Sequence, residues 1–314
     1  MNPAMSVIAF TTLSGAGLGL LAWLGLHYVR APLPVSQELV LGAIAIGLVL
    51  LAVGLASSMA HLGKPLRAWR AFSQWRSSWL SREGVASVAT FVPALVLAFD
   101  VWRGEFDAGT RIAAASLLVL ALASLACTAK IYDTLKPIAA WHNGYVLPGY
   151  VLIGVGTGAL WLFALLALSG WQPRPMQLSS MAVVLTAIGV HKLLYWRHVD
   201  RTPAAASIGS LTGLGRFGAV TPFEAPHTEA NYLLHEMGFV LARRHARSLR
   251  RIALVLLAAV PLAILIVLAA APRIAPVATG VALLAAMLGA LVERWLFFAE
   301  ARHAVVGYYG TRGR

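Results

Sequence analysis

The chain has 314 residues, of which 59% are hydrophobic and only 12% charged, with a mean hydropathy of +0.76. A soluble domain carries about a quarter of its residues as charges, so this composition excludes a soluble fold of this length and points to an integral membrane protein. Lys and Arg total 25 against 12 Asp and Glu, a net +13 that fits anchoring at a cytoplasmic leaflet better than nucleic-acid binding. The single cysteine, Cys127, leaves no disulfide framework and no Cys-based zinc or iron–sulfur site.

A membrane-spanning helix needs about 20 largely apolar residues. Eight stretches qualify: 6–28, 38–60, 84–102, 111–130, 146–169, 178–198, 252–271 and 275–297. The predicted fold is all-α, a single polytopic membrane domain over 1–314 with short interfacial amphipathic helices. The first stretch lacks the basic leading segment of a signal peptide and its apolar run is too long for one, so it is read as a retained span. His191 and Lys192 interrupt the sixth, and Pro261 is a candidate kink in the seventh. Eight spans place both termini on one side. Twenty Lys and Arg fall on that side, and five fall opposite: Arg30, Arg103, Arg111, Arg174 and Arg273. The basic excess predicts cytoplasmic termini and cytoplasmic loops at 61–83 and 199–251, with the chemistry concentrated there.

The first long loop reads HLGKPLRAWRAFSQWRSSWLSREG from His61 to Gly84. Gly63 permits a sharp departure from the second span, and Pro65 suits the first turn of a new helix. On an α-helical wheel from Leu66 to Leu80, Trp69, Phe72, Trp75 and Trp79 share one face, with Arg67, Arg70 and Gln74 on the other. That pattern predicts a helix lying in the interface. His61 and Glu83 bracket the segment at the ends of adjacent spans. Snorkelling or capping accounts for such groups, and so does a quinone site. A quinone ring needs apolar walls, hydrogen-bond partners for its two oxygens, and groups that exchange protons and stabilise developing negative charge.

After the fourth span, Trp141, His142 and Asn143 are placed either to line a headgroup pocket on the same side or to serve as belt residues. His191 and Tyr195, one helical turn apart, suit a polar relay or simple packing. No facing pair of histidines at matching depth emerges among His27, His61 and His191, so haem is not expected. In the second long loop, GSLTGLGRFG at 209–218 has phosphate-loop glycine spacing. No strand precedes it and the Lys-Ser/Thr of such loops is missing, so a docking surface is the better account. Beyond it, Thr228 is a plausible N-cap and Glu229 falls in the first turn of an amphipathic helix. Leu233, Leu234, Met237, Val240 and Leu241 form its apolar stripe. Asn231, His235 and Glu236 lie off that stripe, on a polar face suited to docking a soluble subunit.

Four stretches together resemble the membrane anchor subunit of the dimethyl sulfoxide reductase family. They are SVIAFTTLSGAGLGL at 6–20, the whole of 61–84, KPIAAWHN at 136–143 and APHTEANYLLHEMGFVLARRHA at 225–246. The resemblance covers essentially the whole chain. It implies an eight-helix anchor without redox centre or metal of its own. Partners would be an iron–sulfur electron-transfer subunit and a molybdopterin catalytic subunit, with no role in nucleic-acid binding. It also implies a quinone/quinol site whose histidine, glycine, arginine and glutamate fall on His61, Gly63, Arg67 and Glu83. Trp69, Arg70, Trp141 and His142 form a candidate secondary quinone pocket, and His227, Glu229, Asn231, His235 and Glu236 a partner-docking strip. Because the long loops read as cytoplasmic, the chain is closer in character to the membrane subunits of cytoplasm-facing sulfite dehydrogenases, which pass electrons from sulfite to quinone. The alternatives are a quinol-oxidising anchor of a dimethyl sulfoxide-type reductase and, in a different class, an ion-translocating module with Glu83, His191 and Lys192 on its pathway.

Overall fold

The computed structural model describes residues 4–60, 62–202, 208–221, 223–224 and 241–305, and the described residues form helices and turns without strands. The first six long helices are α1 (Met5–Arg30), α2 (Gln37–Met59), α3 (Trp79–Arg103), α4 (Ala108–Asp133), α5 (Val146–Leu168) and α6 (Pro175–Arg201). A short α7 (Ile208–Thr212) follows, then α8 (Leu241–Leu254), α9 (Val260–Ala270) and α10 (Ala275–Ala299). A single π-helical segment, Val255–Ala259, joins α8 to α9, so that His245–Ala270 runs as one span. Eight helices are thus long and apolar enough to cross a membrane, one for each of the eight apolar stretches in the sequence. At 26 residues, α1 and α4 are about 39 Å long, enough to carry their ends past a hydrocarbon core of about 30 Å.

Local chemistry sets several boundaries. Ser36 caps α2 by accepting the Leu39 N–H, and Asp107 and Thr110 form a reciprocal capping box at α4. Gly104 ends α3 at φ 71°, a left-handed conformation that suits glycine. Ahead of Pro261 the helix widens to an i→i−5 turn, Val260 N–H to Val255 O. The expected kink is therefore taken up as a π-bulge in the turn before a residue that has no N–H to donate.

The segment at 65–74 corrects the α-helical wheel. It is a 3₁₀ helix, Pro65–Gln74, and Trp79 begins α3 instead of extending the loop helix. With three residues per turn, positions i and i+3 eclipse. Trp69, Phe72 and Trp75 therefore make one exposed aromatic ridge, and Arg67, Arg70 and Arg76 share a second. A strict period of three, not 3.6, is the sequence pattern behind it.

Helix α1 is the most enclosed element and packs against α2, α4 and α5. Its crossing with α5 is backbone to backbone: a Cβ on Gly158 would sit 2.1 Å from the carbonyl carbon of Gly19. Small residues let helices approach this closely where no hydrophobic drive operates between spans. The Trp23 indole on α1 also donates to Val155 O on α5 at 2.9 Å. One apolar cluster fills the space among α1–α4, a second joins α5, α6, α9 and α10, and a third, rich in aromatics, closes one end. At that end Ser57 Oγ on α2 donates to Ser6 O on α1, and Ala304 N donates to Pro137 O. The beginning and the end of the described chain thus share one end of the bundle with the 62–78 loop.

Candidate functional site

Glu83 lies at the start of the second turn of α3, a helix whose start is fixed by Ser78 accepting the Ser81 N–H. The side chain is 4% exposed. Its Oε1 accepts a hydrogen bond from Ser87 Oγ at 3.2 Å, one turn deeper, and among the described residues no Lys or Arg pairs with it. The carboxyl is within electrostatic reach of Cys127 and Tyr132 on α4. Phe72 of the 3₁₀ helix comes down on the same turn, where a Cβ on Gly84 would lie 3.2 Å from its ring. A buried ionisable group with no ion partner is costly in a membrane span and marks a functional position.

The loop before α3 and the first turn of α3 carry cations and aromatic faces together. Arg70, Arg76 and Arg82 sit over the rings of Trp69, Trp75 and Trp79 at 5.7, 5.6 and 4.4 Å. Arg82 donates to Trp75 O at 3.0 Å and to Arg76 O at 2.6 Å, which ties the end of the 3₁₀ helix to α3. Arg67 is exposed, and its backbone N–H donates to Lys64 O. At Gly63 a Cβ would meet nothing within 4 Å, and its φ is not positive. Neither backbone strain nor the chain's own packing calls for glycine there. His61 and the strip His227, Glu229, Asn231, His235 and Glu236 lie outside the described residues, as does Thr228.

Trp141 sits in the aromatic cluster at this end. It is 4% exposed, donates its indole N–H to Phe297 O at 2.9 Å and stacks on Phe297 at 5.6 Å. His142 is exposed, with Nδ1 2.5 Å from Asp133 O. The described contacts do not bring either residue to Trp69 or Arg70. His191 and Tyr195 do not form a relay with each other: His191 Nε2 pairs with Tyr145 O at 2.9 Å, and Tyr195 donates to Ala140 O at 3.2 Å.

Sequence reasoning missed a polar cluster inside the bundle. Lys192, one of the twenty Lys and Arg on the basic side, is 3% exposed and donates to Glu293 Oε1 at 2.5 Å. Arg294, another of the twenty, is equally buried, over the Tyr150 ring at 3.7 Å and with Nη1 3.4 Å from Glu293 Oε2. Among the described residues Glu293 Oε2, Arg294 Nε, the Tyr150 hydroxyl and the Thr12 hydroxyl have no hydrogen-bond partner. Arg294, Tyr150 and Thr12 border a cavity of about 10 Å³, room for about one water. The sequence does place opposite charges, HK in one span and ER in another, each one to three turns from its basic-side end, but does not show that they meet. A roomier cavity of about 210 Å³ lies at the opposite end of the bundle, walled by Trp23, Phe163 and Trp171 with His27, Gln177 and Ser180.

The chain is similar along nearly its whole length to known proteins. Residues 1–299 match the family model described as DMSO reductase anchor subunit (DmsC). The chain is also 34% identical, over 98% of its own length and 99% of the other's, to the C subunit of the sulfite dehydrogenase of Allochromatium vinosum. An eight-helix apolar bundle matched by that model along nearly its whole length belongs to the DMSO reductase anchor subunit family.

Proposed function

We propose that this chain anchors a three-subunit molybdenum and iron–sulfur oxidoreductase at the cytoplasmic face of a bacterial inner membrane. It would pass electrons from sulfite oxidation to the quinone pool. The observation that carries the quinone reading is the placement of Glu83: a buried carboxyl without an ion partner among the described residues, on the turn where Phe72 of the preceding loop packs. The similarity to the sulfite dehydrogenase protein of Allochromatium vinosum favours sulfite as the donor substrate. The twenty-to-five distribution of Lys and Arg favours cytoplasmic termini. Two of the twenty, Lys192 and Arg294, are buried in the bundle, and removing them leaves the asymmetry intact.

Quinone is a substrate here. Its reduction to quinol takes two electrons and two protons, the electrons arriving from the partner's clusters. Glu83 and His61 exchange protons with the ring oxygens, Arg67 stabilises negative charge on the reduced ring, and the open backbone at Gly63 lets the ring approach. The aromatic ridge of Trp69, Phe72 and Trp75 shields that approach from water. Purification of the tagged chain from its native host in mild detergent tests the assignment. Molybdenum, iron and sulfite-dependent quinone reduction should copurify. A monodisperse chain free of both metals and inert toward quinone would refute it.

A further inference from the structure

The last two turns of α6 and the facing turns of α8 enclose a groove of about 580 Å³. Its inner wall is a built structure. Arg250, 14% exposed, donates NH1 to both carboxylate oxygens of Asp200 at 2.9 and 2.8 Å and Nε to Glu300 at 2.9 Å, and its guanidinium lies 5.7 Å from the centre of the buried Trp196 ring. The groove's one carboxylate is thereby already paired. The other four guanidinium groups, Arg197 and Arg201 on α6 and Arg247 and Arg251 on α8, are exposed and form no ion pair among the described residues. Each pair is spaced i,i+4, where like charges repel, so an anion between the helices relieves both.

The groove changes character along its length. Leu193 and Leu254 continue it toward the middle of the bundle. Leu193 is 56% exposed. From Arg201 to Leu193 is about 12 Å along the helix. A cationic end that gives way over that distance to an apolar, outward-facing flank matches the polarity profile of a glycerophospholipid. An acidic protein segment would leave the apolar half, at bilayer depth, unused. We propose that this groove is a binding site for an anionic phospholipid, with its phosphate between the two arginine pairs and its acyl chains along Leu193 and Leu254.

The test uses the full chain in its purified complex. Phosphatidylglycerol and phosphatidylcholine of matched chains are titrated, and retention is read by native mass spectrometry. Wild type should retain phosphatidylglycerol roughly tenfold better. The triple variant Arg197→Gln, Arg247→Gln, Arg251→Gln, which spares Arg250, should retain both lipids alike. Arg251→Gln alone should give an intermediate ratio, which keeps the test open where the triple variant fails to fold. Equal retention by wild type, a preference that survives the substitutions, or displacement by inorganic phosphate would overturn the proposal. So would crosslinking that shows a soluble subunit seated in the groove.

Discussion

Lys192 Nζ and Glu293 Oε1, 101 residues apart in the chain, meet at 2.5 Å inside the bundle and tie α6 to α10. Both side chains are at most 4% exposed, and Arg294 adds a second cation to the same carboxylate. Removing one member of such a group strands a charge away from bulk water. Glu293→Ala should therefore cost about 3–5 kcal/mol of stability, seen as a lowered unfolding midpoint in detergent. The double replacement Lys192→Met, Glu293→Leu should recover part of that loss. Unchanged stability in Glu293→Ala would show that the cluster is solvated.

Two glycines of contrasting surroundings should respond oppositely. A Cβ on Gly158 falls onto the backbone of Gly19, so Gly158→Ala should force α1 from α5 and prevent assembly, a loss above about 4 kcal/mol. A Cβ on Gly63 meets nothing within 4 Å. Under the proposed function Gly63→Ala should leave the unfolding midpoint unchanged and raise the KM for quinone. Normal quinone kinetics in Gly63→Ala would remove Gly63 from the site.

The cavity between α1, α5 and α6 has aromatic walls and three polar groups, a reasonable cradle for a ring in its own right. It sits at the end of the bundle away from Glu83. If quinone reacts beside Glu83, filling that cavity with Ser180→Trp should leave quinone-linked turnover at the wild-type rate. A large fall in turnover with assembly intact would move the reaction to this cavity.

The spans were legible because an apolar run of the needed length has one structural outcome in a membrane, and Glu83 stood out as a carboxylate at the head of such a run. The 3₁₀ geometry of Pro65–Gln74 was not recovered: Trp69, Phe72 and Trp75 also fit one face of an α-helix, and a period of 3.6 was assumed where three applied. Lys192 and Arg294 were misplaced for a different reason. Whether a charge near a helix end reaches the headgroups or a buried partner depends on another helix, here on Glu293, and local sequence does not carry that choice. The α1–α5 crossing at Gly19 and Gly158 is tertiary in the same sense.

The central claim is that quinone exchanges protons with Glu83, and the most direct measurement compares two activities of one Glu83→Gln complex. Sulfite oxidation with an artificial acceptor at the catalytic subunit should keep the wild-type rate. Sulfite-dependent quinone reduction should fall by about two orders of magnitude or more. A Glu83→Gln complex that assembles normally and reduces quinone as fast as wild type would contradict the account.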